Sequence, residues 1–209
     1  MYNKITVDPK LRINNKLLGE VLSLPITIKV NNFNEEEVEK FRVSMELAQN
    51  TGQEVIPVLI DSYGGYVYSL LAMIDIIDQS PVPVATVGLG KMMSCGSVLL
   101  TCGAEGMRYA GPASTVMIHD VAAGSEGKVE EIKANAAQTD KLNKTIFERM
   151  SINCGHDKDY FIEQLFKKHH AEWYLTPKEA KKHKLIDVIG IPNFDINIET
   201  SVVFGQMMR

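Results

Sequence analysis

The sequence predicts an α/β domain built on a largely parallel sheet. Short apolar runs rich in β-branched residues alternate with stretches of helical spacing, the two kinds follow one another directly between residues 55 and 100, and the runs in that region end in turns rich in glycine and serine. Parallel neighbours joined by helices need right-handed crossovers, which bring the turns after the strands out at one carboxyl edge. In open α/β folds that edge is where sites form.

Residues 1–20 are mixed and polar, with a turn signal at Asn14-Asn15-Lys16, and are expected to form a mobile or partner-dependent arm. Ile26-Thr27-Ile28-Lys29-Val30 alternates as a half-solvated strand does. Asn34 with Glu37 gives an N-cap signature for a helix carrying Val38, Phe41, Met45 and Ala48 on one face and stopping at Gly52. Val55-Ile56-Pro57-Val58-Leu59-Ile60 suits a strand covered on both faces, although Pro57 removes one ladder donor. It ends in Asp61-Ser62-Tyr63-Gly64-Gly65, after which Val67, Leu70, Leu71, Ile74 and Ile77 recur at helical spacing up to Ser80-Pro81.

Val84-Ala85-Thr86-Val87 is the next strand, and Gly88 through Leu100 reads as its end, a sharp turn and a small-residue helix stopping near Gly103. Arg108-Tyr109 and Thr115 through His119 are expected as short strands about the turn at Gly111-Pro112, returning His119 to the sheet edge. Ala122 through Gly127 is a small-residue loop. Lys128 to Asn153 is a long charged helix with Ile132, Leu142, Ile146 and Met150 on its apolar side, expected to project from the body or to meet another subunit. Another helix begins at Asp157. Thr176-Pro177-Lys178-Glu179 sets a cap, a first-turn proline and a capping glutamate in register. Ile186 through Ile189 closes the core, and residues 192–209 read as a loose tail.

Composition narrows the function. A chain of 209 residues suits one domain with at most a small appendage. With 22 basic against 26 acidic residues, a formal charge of −4 and no basic block, nucleic acid is disfavoured as a partner. Cys95, Cys102 and Cys154 make neither a CxxC pair nor an even framework and are read as reduced thiols. No apolar run is long enough for a bilayer and no leader pattern opens the chain, so a soluble intracellular protein without a membrane partner is expected.

The chemistry converges on Ser94. A serine between a strand and a helix has free backbone N–H groups around it, which suits a nucleophile whose attack creates an oxyanion; it equally suits a plain helix cap. His119, at the end of an apolar strand, is in position to act as general base or to be an ordinary edge residue. Gly65 can present its N–H to a substrate carbonyl with no side chain in the way, and the N–H of Cys95 is the natural second donor. The Cys95 thiol reads as a small packed group.

Ser62-Tyr63-Gly64-Gly65, Met93-Ser94-Cys95-Gly96-Ser97, Val116-Met117-Ile118-His119, and Leu175 through Ala180 continuing to Leu185-Ile186-Asp187 resemble, in order and separation, the successive signatures of the ClpP family of self-compartmentalising serine peptidases. The resemblance implies an α/β, ClpP/crotonase-like core of repeated β-β-α units with a projecting helical handle at about 128–154. It divides the chain into an arm at 1–17, a peptidase domain at 18–190 and a tail at 191–209. It implies Ser94 as nucleophile, His119 as base, Gly65 and Cys95 as oxyanion hole, and a substrate strand lying along Gly124, Ser125 and Gly127. Counting back from Tyr174-Leu175-Thr176 puts Glu172 at the place of the triad acid, where the family carries aspartate; a solvated glutamate is the alternative.

The resemblance also implies a cytoplasmic homo-oligomer, a heptameric ring or stacked double ring, acting on polypeptide with an AAA+ unfoldase as partner and without metal or cofactor. Ala171 stands where many relatives have an arginine that joins stacked rings, and Tyr63 replaces the usual proline. The arm does not match the family's axial-loop pattern. Met92 stands where a G-x-S-x-G elbow needs glycine, which disfavours an α/β-hydrolase. Three rivals stay open: a ring subunit whose triad has decayed, a crotonase-like acyl-CoA enzyme, for which a basic site for the CoA phosphates is lacking, and a membrane-associated Ser–Lys peptidase, disfavoured by His119 and the lack of an anchor.

Overall fold

A computed structural model of the chain describes residues 25–193. The expected arm at 1–17 and the tail beyond residue 193 lie outside the described residues. Strand β1 (Ile28–Val30) leads into helix α1 (Glu35–Asn50), whose Asn34 cap accepts the Glu37 N–H at 2.8 Å. Phe41, Met45 and Ala48 are buried on its inner face, as the helical spacing requires. β2 (Ile56–Ser62), α2 (Val67–Asp78) and β3 (Val84–Met93) complete two crossovers, and all neighbours along β1-β2-β3 run parallel. The path continues through β4 (Arg108–Ala110) to β7 (Val188–Ile189), also in parallel. Pro57 is accommodated inside β2, buried against β3.

β3 is longer than its apolar run suggests. It continues through Gly88 and Gly90 to Met93, and its two halves take different partners: Thr86–Gly88 pairs with β4, and Lys91–Met93 pairs with β5 (Thr115–Ile118). The register against β2 slips between Ile60 and Ser62, and Gly90 absorbs the irregularity at φ 65°. A Cβ on Gly88 would lie 2.6 Å from the Cε of Met92, so Gly88 makes the room that Met92 fills. The glycines expected to mark a turn are therefore strand residues, and the turn is confined to Ser94.

β6 (Trp173–Leu175) pairs antiparallel with β5 and carries no sequence signal of its own, since three residues are too few to display a period. α3 (Cys95–Leu100) ends before Gly103, where the Thr101 hydroxyl turns back to the Val98 carbonyl at 2.7 Å. α4 (Val129–Asn153) is the handle: only Ile146, Phe147, Met150 and Ser151 in its second half are buried, whereas Ile132, expected on the apolar side, is 39% exposed. α5 (Tyr160–Lys167) starts later than Asp157, which instead accepts the Tyr160 N–H in the preceding turn at 2.9 Å. α6 (Pro177–Lys182) carries the expected capping box, Thr176 with Glu179. No helix among the described residues is long and apolar enough to cross a membrane.

The far end of the sheet is pinned by a half-enclosed ion pair. Arg108 on β4 gives its Nε hydrogen to Asp187 Oδ2 at 2.9 Å and an Nη1 hydrogen to the Asn153 carbonyl at 2.9 Å, tying β4, the end of α4 and the approach to β7 together. The cysteines are free thiols; burial pushes Cys154 up to about 12 and Cys102 up to about 11. A thiol held that far above neutrality is a poor nucleophile. Iodoacetamide at pH 8 is therefore expected to leave Cys102 and Cys154 unlabelled in the folded protein and to label both in urea, as read by peptide mass mapping.

Candidate active site

Ser94 joins the last residue of β3 to the first of α3 at φ 54° and ψ −121°, a conformation costly for a residue with a Cβ, of order 1–3 kcal/mol. The surroundings hold it there. Its N–H donates to the Met117 carbonyl at 2.9 Å, across the β3–β5 pairing, and its own carbonyl accepts the Ser97 hydroxyl at 2.7 Å. Gly64, at φ 107°, lies so close that a Cβ there would sit 2.6 Å from the Ser94 Cβ. A tight strand-to-helix elbow thus forms without glycine at position 92, because Gly64 and Gly88 on other parts of the chain supply the missing space.

Although Ser94 occupies the cap position, its hydroxyl makes no cap hydrogen bond. Ser94 lines a cavity of about 140 Å³ together with Gly65, Cys95 and His119. The apolar part of the wall is Val67, Val98, Ile118, Ile146 and Phe147, so the buried half of the handle helix closes the cavity on one side. The polar groups are legible in the sequence at this edge, whereas most of these apolar ones are not, because their spacing marks them only as core.

The amides follow from the local chain path. With the Ser94 N–H consumed by Met117, Cys95 carries the next N–H at a helix start, where no acceptor within the helix is available. Gly65, at φ 155°, bridges to Phe33 through the Tyr66 N–H and the Phe33 carbonyl at 2.8 Å, so its own N–H is not needed for that contact. A Cβ on Gly65 would overlap the Phe33 carbonyl oxygen. The Cys95 thiol donates to the Gly65 carbonyl at 3.3 Å, fixing one amide-bearing residue to the other, and burial pushes that thiol above its ordinary value.

His119 follows the last residue of β5, partly buried. Among the described residues its ring has no hydrogen-bond partner. Ile118 pairs with Trp173, so one step further along these antiparallel strands stand His119 and Glu172. The Glu172 carboxylate is exposed and accepts the Tyr174 hydroxyl at 2.7 Å instead of the imidazole. β5 ends at Ile118, so strand alternation does not set the direction of Asp120; its carboxylate is turned away by its own partners, His170 and Asn143.

Gly124, Ser125 and Gly127 fall in the irregular exposed segment between β5 and α4. Gly124 and Ser125 line an open groove with Ile132, Asn135 and Asn143 of the handle, and Asn135 donates to the Ser125 hydroxyl at 2.9 Å. Gly127, at φ 142°, packs against Glu131. The sheet edge thus brings Ser94, His119, Gly65 and Cys95 around one cavity, with the glycine segment beside it and Glu172 bonded to a neighbouring tyrosine.

Comparison with known proteins agrees with this architecture. The chain is 37% identical over 142 residues to the ATP-dependent Clp protease proteolytic subunit of Deinococcus radiodurans, covering 68% of this chain and 67% of that one. It is 32% identical over 143 residues to ATP-dependent Clp protease proteolytic subunit 1 of Salinibacter ruber, covering 68% of this chain and 60% of that one. The model of the Clp protease family matches residues 16–192, a span that takes in every strand and helix described above. The chain belongs to the Clp protease family.

Proposed function

We propose that this chain is the proteolytic subunit of a Clp-type protease, a serine endopeptidase that hydrolyses polypeptide within an oligomeric chamber. The observation that carries the reading is the Ser94 hydroxyl: it sits at a helix cap without capping, held at positive φ, on a cavity shared with an imidazole and two amide-bearing residues. In the reaction, His119 takes the Ser94 proton as the oxygen attacks the scissile carbonyl. The tetrahedral oxyanion rests on the Gly65 and Cys95 amides, and the imidazolium then gives its proton to the leaving amine. Water repeats the sequence to release the acyl product. Glu172 orients the imidazole once its side chain leaves the Tyr174 hydroxyl, in keeping with the way catalytic hydrogen bonds tighten only when substrate is bound.

The apolar wall favours substrates that place a medium-sized apolar side chain beside the cleaved bond, and the exposed Gly124–Gly127 segment offers main-chain pairing to an extended substrate strand. The half of α4 that projects leaves Val129 65% exposed and Ile132 39% exposed, apolar surface that a further copy in a ring or stacked rings would cover. An AAA+ unfoldase feeding the chamber, and a cytoplasmic setting, complete the proposal. The acyl-CoA alternative is disfavoured because Lys91, the cation beside the glycine turn, is bonded to Asp61 at 2.6 Å and lies over the Tyr63 ring at 4.5 Å.

A second reading, an assembled subunit with a decayed triad, is favoured by the His119 ring, which has no hydrogen-bond partner among the described residues, and by the engagement of Glu172 with Tyr174. Intact-mass analysis after treatment with a fluorophosphonate separates the two: the wild type gains one adduct if it is the peptidase, and none, though folded and assembled, if it is the inactive subunit. Light scattering addresses the chamber, and a stable monomer would contradict it. Gly65→Ala is expected to lower kcat for a peptide substrate about a hundredfold or more by displacing one oxyanion donor, as steady-state kinetics would report.

A further inference from the structure

We propose that Asp120, clamped between Asn143 of the handle helix and His170 of the loop before β6, is the positioning residue that holds the two halves of the catalytic apparatus in register. Asp120 follows the base His119 directly, and His170 stands two positions before Glu172, so one carboxylate connects the chain segments that carry the base and the acid. The inference rests on the peptidase reading above.

The contacts are specific. A carboxylate only accepts, so the 2.6 Å contact between His170 Nδ1 and Asp120 Oδ2 fixes the proton on Nδ1 of His170. Asn143 Nδ2 donates to Asp120 Oδ1 at 2.8 Å, and the Oδ1 of the same asparagine accepts the Val121 N–H at 2.9 Å. Asn143 therefore grips both the side chain of residue 120 and the main chain of residue 121, a two-point hold immediately beyond the catalytic histidine.

The other end of the network also needs holding. His169 and His170 both lie at φ 57°, in the left-handed region, where the turn that closes α5 is made by the His169 N–H to Phe166 O at 3.0 Å and the His170 N–H to Leu165 O at 2.9 Å. From that turn the chain passes through Ala171 and Glu172 into β6. The Asp120–His170 bond is the contact that fixes this turn against the His119 strand end before the β5–β6 pairing takes over. The His119 ring and the Glu172 carboxylate make no hydrogen bond to each other, so their relative placement is set by the backbones this network joins.

The test uses the full-length assembled protein. Asp120→Ala, His170→Ala and the double variant are compared with wild type for peptide hydrolysis, for the rate of fluorophosphonate capture, and for assembly by light scattering. A misplacement of about 1 Å caused by a residue outside the chemistry can cost about 100-fold in rate, and a partial one about tenfold. We expect Asp120→Ala to lower kcat and the capture rate by a factor in that range with KM changed less than about twofold. The double variant should be no worse than Asp120→Ala alone, because the residues act through one bond, and Asp120→Asn, which retains an acceptor oxygen, should recover part of the loss. Should Asp120→Ala fail to assemble, His170→Ala decides the matter, since its side chain is 50% exposed and its loss opens no core cavity. Wild-type kcat and capture rate in the assembled variants would overturn the proposal. A wild-type protein that neither cleaves peptide nor captures the fluorophosphonate would instead overturn the peptidase reading itself.

Discussion

Ser94→Ala is expected to abolish peptide hydrolysis, with kcat reduced by about 10⁴-fold or more, while the thermal midpoint stays at or above that of the wild type. The activity loss follows from removing the hydroxyl proposed as nucleophile; what survives is the modest assistance that oxyanion donors and binding give to water. The stability expectation comes from the structure. The Ser94 hydroxyl caps nothing, so the fold does not miss it. The backbone at φ 54° strains alanine as it does serine. Loss of activity together with loss of fold would mean that the hydroxyl has a structural role that its surroundings do not indicate. His119→Ala should produce a similar loss of kcat, and the double variant should lose little more than either single one, since nucleophile and base act as a unit.

The largest effect on stability is expected at Arg108 and Asp187. The arginine side chain is 8% exposed and the carboxylate 21%, so removing either partner leaves a charge in a poorly solvated place. Asp187→Asn or Arg108→Met should cost about 3 kcal/mol, at the lower end for a broken buried pair because the carboxylate is still reached by water, and the urea midpoint would measure it. Replacing both partners by apolar residues should recover much of the loss.

The pair also predicts a pH dependence. Burial by itself would push the Asp187 carboxyl up, but its hydrogen bonds with Arg108 outweigh this and hold it below the ordinary aspartate range. A carboxyl lowered in the folded state contributes stability that is fully present above its unfolded value, about 3.9, and is lost as the pH falls through the lower folded value. The wild type should therefore lose stability more steeply than Asp187→Asn below about pH 4.

Most of the fold was legible because its signals are local. The Asn34 and Thr176 caps, the helical face of Phe41, Met45 and Ala48, and the β-branched runs of β2 and β3 each specify their element without help from the rest of the chain. Local signals are silent where an element is defined by its partners. β3 runs past its apolar stretch because Gly88 and Gly90, breakers by type, serve the strand: one makes room for Met92 and the other absorbs a register slip against β2. β6 exists because β5 pairs with it.

The candidate site divides in the same way. Ser94, His119, Gly65 and Cys95 stand out through residue type at the ends of recognisable elements, and the structure brings them to one cavity. The elbow at Ser94 was less visible, because the small residues that permit it are Gly64 and Gly88 rather than a neighbour in sequence. The apolar wall from Ile146 and Phe147 was hidden too, since an apolar stripe on a helix does not reveal whether it faces core or cleft. The Asn143–Asp120–His170 network joins residues far apart in the chain, and no periodicity announces such a contact.

The central claim is that one hydroxyl, one imidazole and two amides act on the same carbonyl. A crystal structure of the protein after fluorophosphonate treatment tests it most directly. The account predicts phosphorus on the Ser94 oxygen, the phosphoryl oxygen within about 3 Å of the Gly65 and Cys95 nitrogens, and the His119 ring within hydrogen-bond reach of the adduct. Phosphorus bonded to another residue, or a Ser94 adduct whose oxygen points away from both amides with His119 out of reach, would contradict it.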